Sequence, residues 1–493
     1  MNSKTAVFCF SASSIIGSGH SIRCHALSEA LKDTGWDIKF ILGKETIETV
    51  PYLLKDSESV YATYDSVCEI PNILSSMVNT EILILDDYLI NKKIETACRN
   101  YVNKIVVIED IPSRAHDCDL LIDQTPGRNS EEYKSLLPNH VLKLLGSKYV
   151  LLRNDFLDLR RDCWNREKYS KSKKSLLISY GSLDEHDLVC KTVDIIKKKE
   201  IDVTINIIIS SSSRYIEKIN QYKNNISNIN LYVDTNNVAE IISKSDLAIG
   251  AAGLSSLERC CLGLPSVIIE TSDNQRELSK GLENMDCVYF LGKVSDLDWE
   301  CVGNNLKVAL NDDLKLKKMS SASMLNIDGH GAMRVAISLL PNRDTLHGDV
   351  VNLRLANFSD ESQIYEWQIQ PETRKYSKNT DAPTIEEHHK WFIRKMNSKK
   401  CVQTIIQCNG RDIGVLRFDQ DSGDNNNYIV SIYIDPKEYG KGIGTQALMC
   451  GKDLFPEKKL LAEVMDENIA SKKMFIKAGF SPLATGLYQL SPY

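Results

Sequence analysis

IGSGHSIRCHALSEA, residues 16–30, follows an apolar run from Ala6 to Phe10. Gly17 and Gly19 bracket Ser18, and His20 opens a run in which Ile22, Ala26, Leu27, Ala30 and Leu31 can cover one buried side of a helix. The pattern is strand, glycine turn, helix. Glycines let a backbone approach a ligand closely, and the unpaired N–H groups of a helix start attract negative charge. A histidine there can meet an anionic substrate with its imidazole. The spacing alone also fits a plain tight turn at Gly17 and Gly19, with His20 as a polar surface residue.

The alternation continues outward. Ile38–Leu42, Glu81–Leu85, Lys104–Ile108 and Leu120–Ile122 read as further strands, ending in Asp86–Asp87–Tyr88, Glu109–Asp110 and Asp123–Gln124. Apolar runs with polar residues at their carboxyl ends predict an open, mostly parallel sheet with ligand groups gathered at those ends. Tyr88, Asp110 and Gln124 are candidate cleft residues; each acidic group is also explained by a helix cap or a solvated strand end. A polar stretch, Arg160–Lys174, reads as a linker, and the alternation restarts at Leu176–Tyr180. In AAGLSSLERCCLGLPSVIIE, a turn at Gly253 leads to a helix from about Ser255 to Leu262 and a strand Ser266–Glu270. Ser255 and Ser256 stand where a helix start offers hydroxyls and N–H groups to phosphate. Glu258 either reaches a ribose or completes a capping box. Asn274 and Gln275 follow the next strand at a cleft-facing position.

A chain of 493 residues is expected to hold two or three domains, and its net charge of −6, with no basic arm, argues against nucleic acid as the main partner. No stretch is apolar enough to span a membrane, and MNSKTAVFCF is too short for a secretory signal. Fourteen cysteines are scattered without CxxC spacing, so buried thiols in a reducing cytoplasm are expected. No metal is expected, since adjacent Cys260 and Cys261 do not supply a zinc site.

Several segments of the first 335 residues then resemble the UDP-sugar hydrolases of pseudaminic acid synthesis. They are Ile16–Cys24, Asp86–Tyr88, Glu109–Gln124, Leu144–Phe156, Ser245–Ile269, Asn274–Gln275 and Asp328–Val335. The resemblance implies a GT-B-like pair of doubly wound α/β domains that removes UDP from a diacetamido-trideoxy altropyranose, with inversion. It makes His20 the catalytic histidine that activates or orients water at the anomeric carbon. Gly17 and Gly19 would shape the loop against the diphosphate. Tyr88 and Asn274, with Gln275 beside it, would contact the sugar side, and Gly253, Ser255, Ser256 and Glu258 the nucleotide side. One departure stands out: the family's arginine and aspartate before the glycine loop are Cys9 and Ser11 here. Serine cannot replace an aspartate's charge in orienting a histidine or a sugar.

Asn342–Val350 reads as a second linker, after which strands and helices begin a new unit. In EYGKGIGTQALMCG, Gly440, Gly442 and Gly444 surround Lys441 and Ile443 just before a helix. Successive N–H groups in such a turn form a nest for pyrophosphate, although a plain strand–helix turn shares the pattern. With the later strand Leu460–Val464 and ENIASKKMFIKAGF, the segment 351–479 resembles GNAT acyl-coenzyme A transferases, and its front portion resembles the acetyltransferase of the same pathway. The resemblance implies acetyl-CoA as co-substrate, with a pyrophosphate loop Tyr439–Gly444, Asn468 and Ser471 on the cofactor side, and backbone near Ile432–Ile434 polarising the thioester. Many relatives carry a tyrosine where Phe475 stands, so Tyr488 or a water is the expected proton donor. Glu463 either takes the amine proton through water or is a solvated strand end. His388 and His389 either line the sugar pocket or form a helix-surface pair beside a core Trp391.

The expected layout is an N-terminal half with the catalytic histidine (1–160), a nucleotide-binding half (172–342) and a GNAT domain (350–493). The expected function is bifunctional and cytoplasmic: acetyl-CoA-dependent N-acetylation of UDP-4-amino-4,6-dideoxy-N-acetyl-β-L-altrosamine, then hydrolysis to free sugar and UDP. A UDP-sugar glycosyltransferase fused to an acyltransferase, or a UDP-sugar-binding protein that does not hydrolyse, are the alternatives.

Overall fold

The computed structural model describes residues 4–13, 17–50, 60–164, 173–181, 183–424 and 426–492. Ile16 of the opening stretch and residues 165–172 of the expected first linker lie outside them. The chain divides into two compact units, one drawn mainly from residues between Thr5 and Ala332, the other from Met333 onward together with Leu27–Asp37.

The first unit contains two parallel sheets. In the first, β1 (Lys4–Phe10), β2 (Trp36–Gly43), β3 (Val60–Tyr64), β4 (Thr80–Asp86), β5 (Lys104–Ile108), β6 (Leu120–Asp123) and β7 (Leu142–Leu145) lie in the order 3-2-1-4-5-6-7. In the second, β8 (Ser175–Ser179), β9 (Thr204–Ile209), β10 (Ile229–Val233), β11 (Leu247–Ala251), β12 (Ser266–Glu270) and β13 (Val288–Lys293) repeat that winding as 10-9-8-11-12-13. Strands such as KIVVI and SVIIE are buried on both faces, as parallel strands covered by helices must be. The cores are correspondingly aliphatic: Val7, Leu83, Ile105 and Val107 in the first half, Leu176, Ile178, Ile249 and Val267 in the second. Gly281 allows one close approach between the halves, because a Cβ there would lie 2.1 Å from the Pro126 carbonyl oxygen.

The first linker begins later than its composition suggests. A helix runs through Asn154–Cys163, and Arg160 within it is fully buried. Its guanidinium donates to the Ile327 carbonyl at 2.8 Å and to the Cys261 and Met324 carbonyls. These carbonyls close the ends of the helices Leu254–Cys261 and Asp313–Asn326, where acceptors lack partners within their own helix. A basic residue that reads as surface is thus a structural pin. Arg160→Leu is expected to lower unfolding stability by about 2–3 kcal/mol, since buried carbonyls lose their donors; the midpoint of urea unfolding measures it.

The second unit has one mixed sheet. Its strands are β14 (Arg343–Asp344), β15 (Val350–Leu355), β16 (Cys401–Cys408), β17 (Arg411–Gln420), β18 (Asn427–Ile434), β19 (Lys459–Glu463), β20 (Ser481–Ala484) and β21 (Leu487–Leu490), ordered 14-15-16-17-18-19-21-20. The stretch expected as a second linker is partly sheet: Arg343 pairs with Val351, and its guanidinium holds Asp453 at 2.5 Å. All neighbours are antiparallel except β18 and β19, and that pair is short. Among the described residues no helix is long and apolar enough to cross a membrane.

Candidate functional site

In the first sheet the strand order reverses between β1 and β4, so their helices leave toward opposite faces and open a crevice at the carboxyl ends. The loop after β1 turns at Gly17, whose N–H donates to the Ser13 carbonyl at 2.8 Å, and the helix Gly19–Asp33 then starts. His20, 7% exposed, lies in that first turn, and its Nδ1 stands 2.6 Å from Asp86 Oδ1 at the end of β4. A carboxylate only accepts, so Nδ1 carries a proton, and in the neutral ring the lone pair is on Nε2.

Arg23, one turn after His20, grips the same carboxylate through Nε and Nη2, both at 2.6 Å, and reaches Asp110 through Nη1 at 3.1 Å. Tyr88 completes the set: its hydroxyl donates to Asp110 at 2.7 Å, and its ring meets His20 edge-on with centroids 5.0 Å apart. Burial alone would raise the Asp86 carboxyl, but the Arg23 guanidinium and His20 override it and hold it well below the usual carboxylate range. The loops carrying Tyr88 and Asp110 are themselves clamped. Arg114 donates to the Tyr88 and Ile90 carbonyls at 2.6 and 2.7 Å and to buried Glu109 at 2.7 Å. Glu109 in turn accepts from the Asp110 and Ile111 N–H groups.

A carboxylate held below its unfolded pKa of about 3.9 adds stability above that value and loses it as pH falls through the folded pKa. The stability gap between wild type and Asp86→Asn is therefore expected to narrow from pH 6 to pH 3. Urea melts at several pH values test this, and a gap independent of pH would contradict it.

Asp86 and Arg23 were not singled out from sequence as partners of His20. The i, i+3 spacing of His20 and Arg23 was the available signal, since it puts both on one helix face. Ser11 has a buried hydroxyl without a hydrogen-bond partner among the described residues. Asp86 supplies the charge beside His20. Gln124 accepts from the Leu151 N–H at 3.0 Å and so holds backbone.

The second sheet repeats the switch between β8 and β11, and the loop after β11 leads to the helix Leu254–Cys261. Gly253 is its N-cap, with no side-chain cap, so Glu258 completes no capping box. Glu258 is buried, and burial pushes its carboxyl up while Arg153 acts against it. Ser256 donates its hydroxyl to the Gly253 carbonyl at 2.6 Å. Buried Arg259 braces the loop, donating to Ser255 Oγ at 3.3 Å, Ser266 Oγ at 3.1 Å and the Ala251 carbonyl at 3.0 Å. Burial pulls its guanidinium down to about 10, still charged at neutral pH. Gln275 is tied to its own loop, accepting from Thr271 N–H and Oγ1, and exposed Asn274 accepts from Ser272 at 2.6 Å.

In the second unit, β18 pairs with β17 as far as Ile434 but with β19 only over Asn427–Ile429. Val430–Ile434 therefore present unpaired backbone toward the gap. Beyond it, Tyr439–Gly442 lead into the helix Ile443–Leu454, capped by Gly442 in the left-handed region at φ +80. A Cβ at Gly440 or Gly442 would meet nothing within 4 Å, whereas one at Gly444 would lie 2.4 Å from Met474 Sδ. The first two glycines leave an open cradle, and the third permits helix packing. Lys441 pairs with Glu438 at 2.7 Å.

Asn468 caps the helix Ile469–Lys477 by accepting from Ser471 N–H at 3.0 Å. Phe475 is buried edge-on to Phe480, and Tyr488 is buried on β21 opposite Ala462. Glu463, half-exposed at the end of β19, pairs with Lys378. His388 is a buried residue, not a surface one. Its Nδ1 meets Gln368 Oε1 at 2.7 Å among the rings of Tyr365, Trp391 and Phe392, and burial pushes its imidazole down. His389 is exposed and pairs with Glu361.

Residues 351–481 match the acetyltransferase (GNAT) domain family. Acinetobacter baumannii MurG superposes with a TM-score of 0.51 at 17% identity, over 68% of this chain and 98% of that one. The chain joins a GT-B-like fold to a GNAT domain. An uncharacterized protein of Methanocaldococcus jannaschii is 24% identical over 485 residues, covering 96% of this chain and 95% of that protein. The UDP-2,4-diacetamido-2,4,6-trideoxy-β-L-altropyranose hydrolase of Campylobacter jejuni is 26% identical over 249 residues, covering 50% of this chain and 85% of that enzyme. The open cradle and unpaired strand end of the GNAT domain are consistent with acetyl-CoA as co-substrate, since a glycine turn ahead of a helix is a form that can receive a pyrophosphate.

Proposed function

We propose that the chain processes a UDP-activated amino sugar in two reactions, acetyl-CoA-dependent N-acetylation in the GNAT domain and loss of UDP from the anomeric carbon in the GT-B-like unit. The observation that carries this reading is the buried His20–Asp86 pair at the switch point of the first sheet. With Nδ1–H donated to Asp86, Nε2 takes a proton from water as its oxygen attacks the anomeric carbon. The carbon–oxygen bond to UDP breaks, and UDP leaves with the electron pair. The N-terminal N–H groups of Leu254–Cys261, braced by Arg259, meet the growing negative charge. In the GNAT domain, the amine attacks the thioester carbonyl while unpaired N–H groups of Val430–Ile434 polarise it; the carbon–sulfur bond breaks, coenzyme A leaves with the electron pair, and the proton lost by the amine passes through water to the thiolate.

At the finer level, the acceptor is UDP-4-amino-4,6-dideoxy-N-acetyl-β-L-altrosamine, and the second substrate is the diacetamido sugar nucleotide named for the Campylobacter relative. A second reading keeps the same site but passes the sugar to an acceptor hydroxyl. It is favoured by the GT-B-like fold, which extends over nearly all of MurG.

Incubation in H₂¹⁸O, followed by phosphorus NMR and mass spectrometry, separates the two. Free sugar with ¹⁸O at the anomeric position supports hydrolysis. Release of UDP only with an added sugar acceptor supports transfer. Acetylation without UDP loss in either case sinks the reading of the first unit.

A further inference from the structure

The GNAT sheet carries a partly buried polar row whose side chains the site above does not use. Gln403 on β16, Arg417 on β17 and Ser431 on β18 are direct cross-strand partners, so their side chains share one face. Tyr433 lies two residues beyond Ser431 and packs with Trp391 against the core on that face. Gln403 is 3% exposed, yet neither its amide nitrogen nor its amide oxygen has a hydrogen-bond partner among the described residues, and the buried Tyr433 hydroxyl has none either. Buried polar groups left unpaired are costly, so a fold keeps them only where something completes them.

Three features say what completes them. An amide offers both donors and an acceptor, and a phenol offers one of each, which matches hydroxyl and amide groups rather than a bare alkyl amine. Charge is the second feature. Arg417 donates to Asp419 at 2.8 Å and to Ser431 at 3.1 Å, and Lys395 holds the other Asp419 oxygen at 2.6 Å. Two cations against one carboxylate leave the row net positive, which repels a polycation. Position is the third: Tyr433 belongs to Val430–Ile434, the part of β18 that has left β19.

We propose that Gln403, Arg417, Ser431 and Tyr433 form the acceptor subsite of the GNAT domain, built for a neutral or anionic acceptor rich in hydroxyl or amide groups and against polycationic amines. This rests on reading the domain as an acetyl-CoA-dependent acyltransferase, not on which sugar it uses.

The test measures acetyl transfer by the full chain to three probes: the UDP-linked 4-amino sugar, an acidic peptide with a free amine, and spermidine. Gln403→Leu and Tyr433→Phe are each expected to raise acceptor KM roughly tenfold, the worth of one buried hydrogen bond. For Gln403→Leu the KM for acetyl-CoA should stay unchanged, and thermal stability should hold or rise in both variants. Spermidine should be the poorest probe by far.

Use of the peptide in place of the amino sugar, with a KM that depends on Gln403, keeps the subsite and discards the amino-sugar reading. Unchanged acceptor KM in both variants, as for a row filled by water alone, overturns the proposal. So does a preference for spermidine or turnover of no probe.

Discussion

His20→Ala is expected to slow UDP release by about 10³-fold, within the range that a positioned general base contributes, while acetyl transfer continues at the wild-type rate. Two features make the loss large. His20 is buried where the helix begins, so no other side chain of that turn can take its place, and its tautomer is set by Asp86 at 2.6 Å. Asp86→Asn should act through that tautomer: an amide can donate to Nδ1, which would move the ring proton to Nε2 and remove the lone pair needed by water. A loss of the same order, about 10³-fold, is expected in kcat with little change in KM. Arg23 also holds Asp86 through two bonds, so the variant needs a check of fold by circular dichroism. Comparable UDP release from wild type and His20→Ala would remove His20 from the chemistry and leave it as a structural link between β4 and the first helix.

Sequence made the apolar elements legible and hid the charged ones. Strands buried on both faces, such as β5 and β12, read as continuous apolar runs and were placed at their observed ends. β3, with its alternating exposure, and β7, a short edge strand with half its residues outside the core, carried no such run. Helix boundaries followed capping chemistry where a side chain does the capping, as at Thr384 before Ile385–Met396. At Gly253 no side chain caps, and the Ser255–Glu258 spacing suggested a capping box that does not form.

The functional cluster was hidden for a different reason. His20 and Asp86 are far apart in sequence and meet only because β4, not β2's successor β3, lies beside β1. No local pattern encodes that strand order. Basic residues were the other blind spot. Arg160 read as the start of a linker and Arg23 and Arg259 were not singled out, yet all three are buried because carboxylates, carbonyls or hydroxyls complete their guanidinium donors.

Gly442→Val is the converse of the His20 experiment. Acetyl transfer should fail while UDP release is unchanged. Gly442 sits at φ +80, ψ −1, a conformation that costs an L-residue roughly 1–2 kcal/mol. No atom lies within 4 Å of where its Cβ would be, so the cost to the fold is the backbone strain of the positive φ rather than a clash at that carbon. What it fills is the open space in front of the helix Ile443–Leu454, where N–H groups would bind pyrophosphate. Charge-assisted hydrogen bonds are worth about 1.5–3 kcal/mol each, so losing two raises the KM for acetyl-CoA by roughly 10²–10⁴-fold.

Gly444→Ala provides the contrast. Its Cβ would press on Met474 Sδ at 2.4 Å, so it should lower thermal stability through packing, with a smaller effect on acetyl-CoA KM. Calorimetric titration with coenzyme A separates the two variants directly. If Gly442→Val binds coenzyme A as tightly as wild type does, the loop is only a turn, and the cofactor must be held elsewhere along β18.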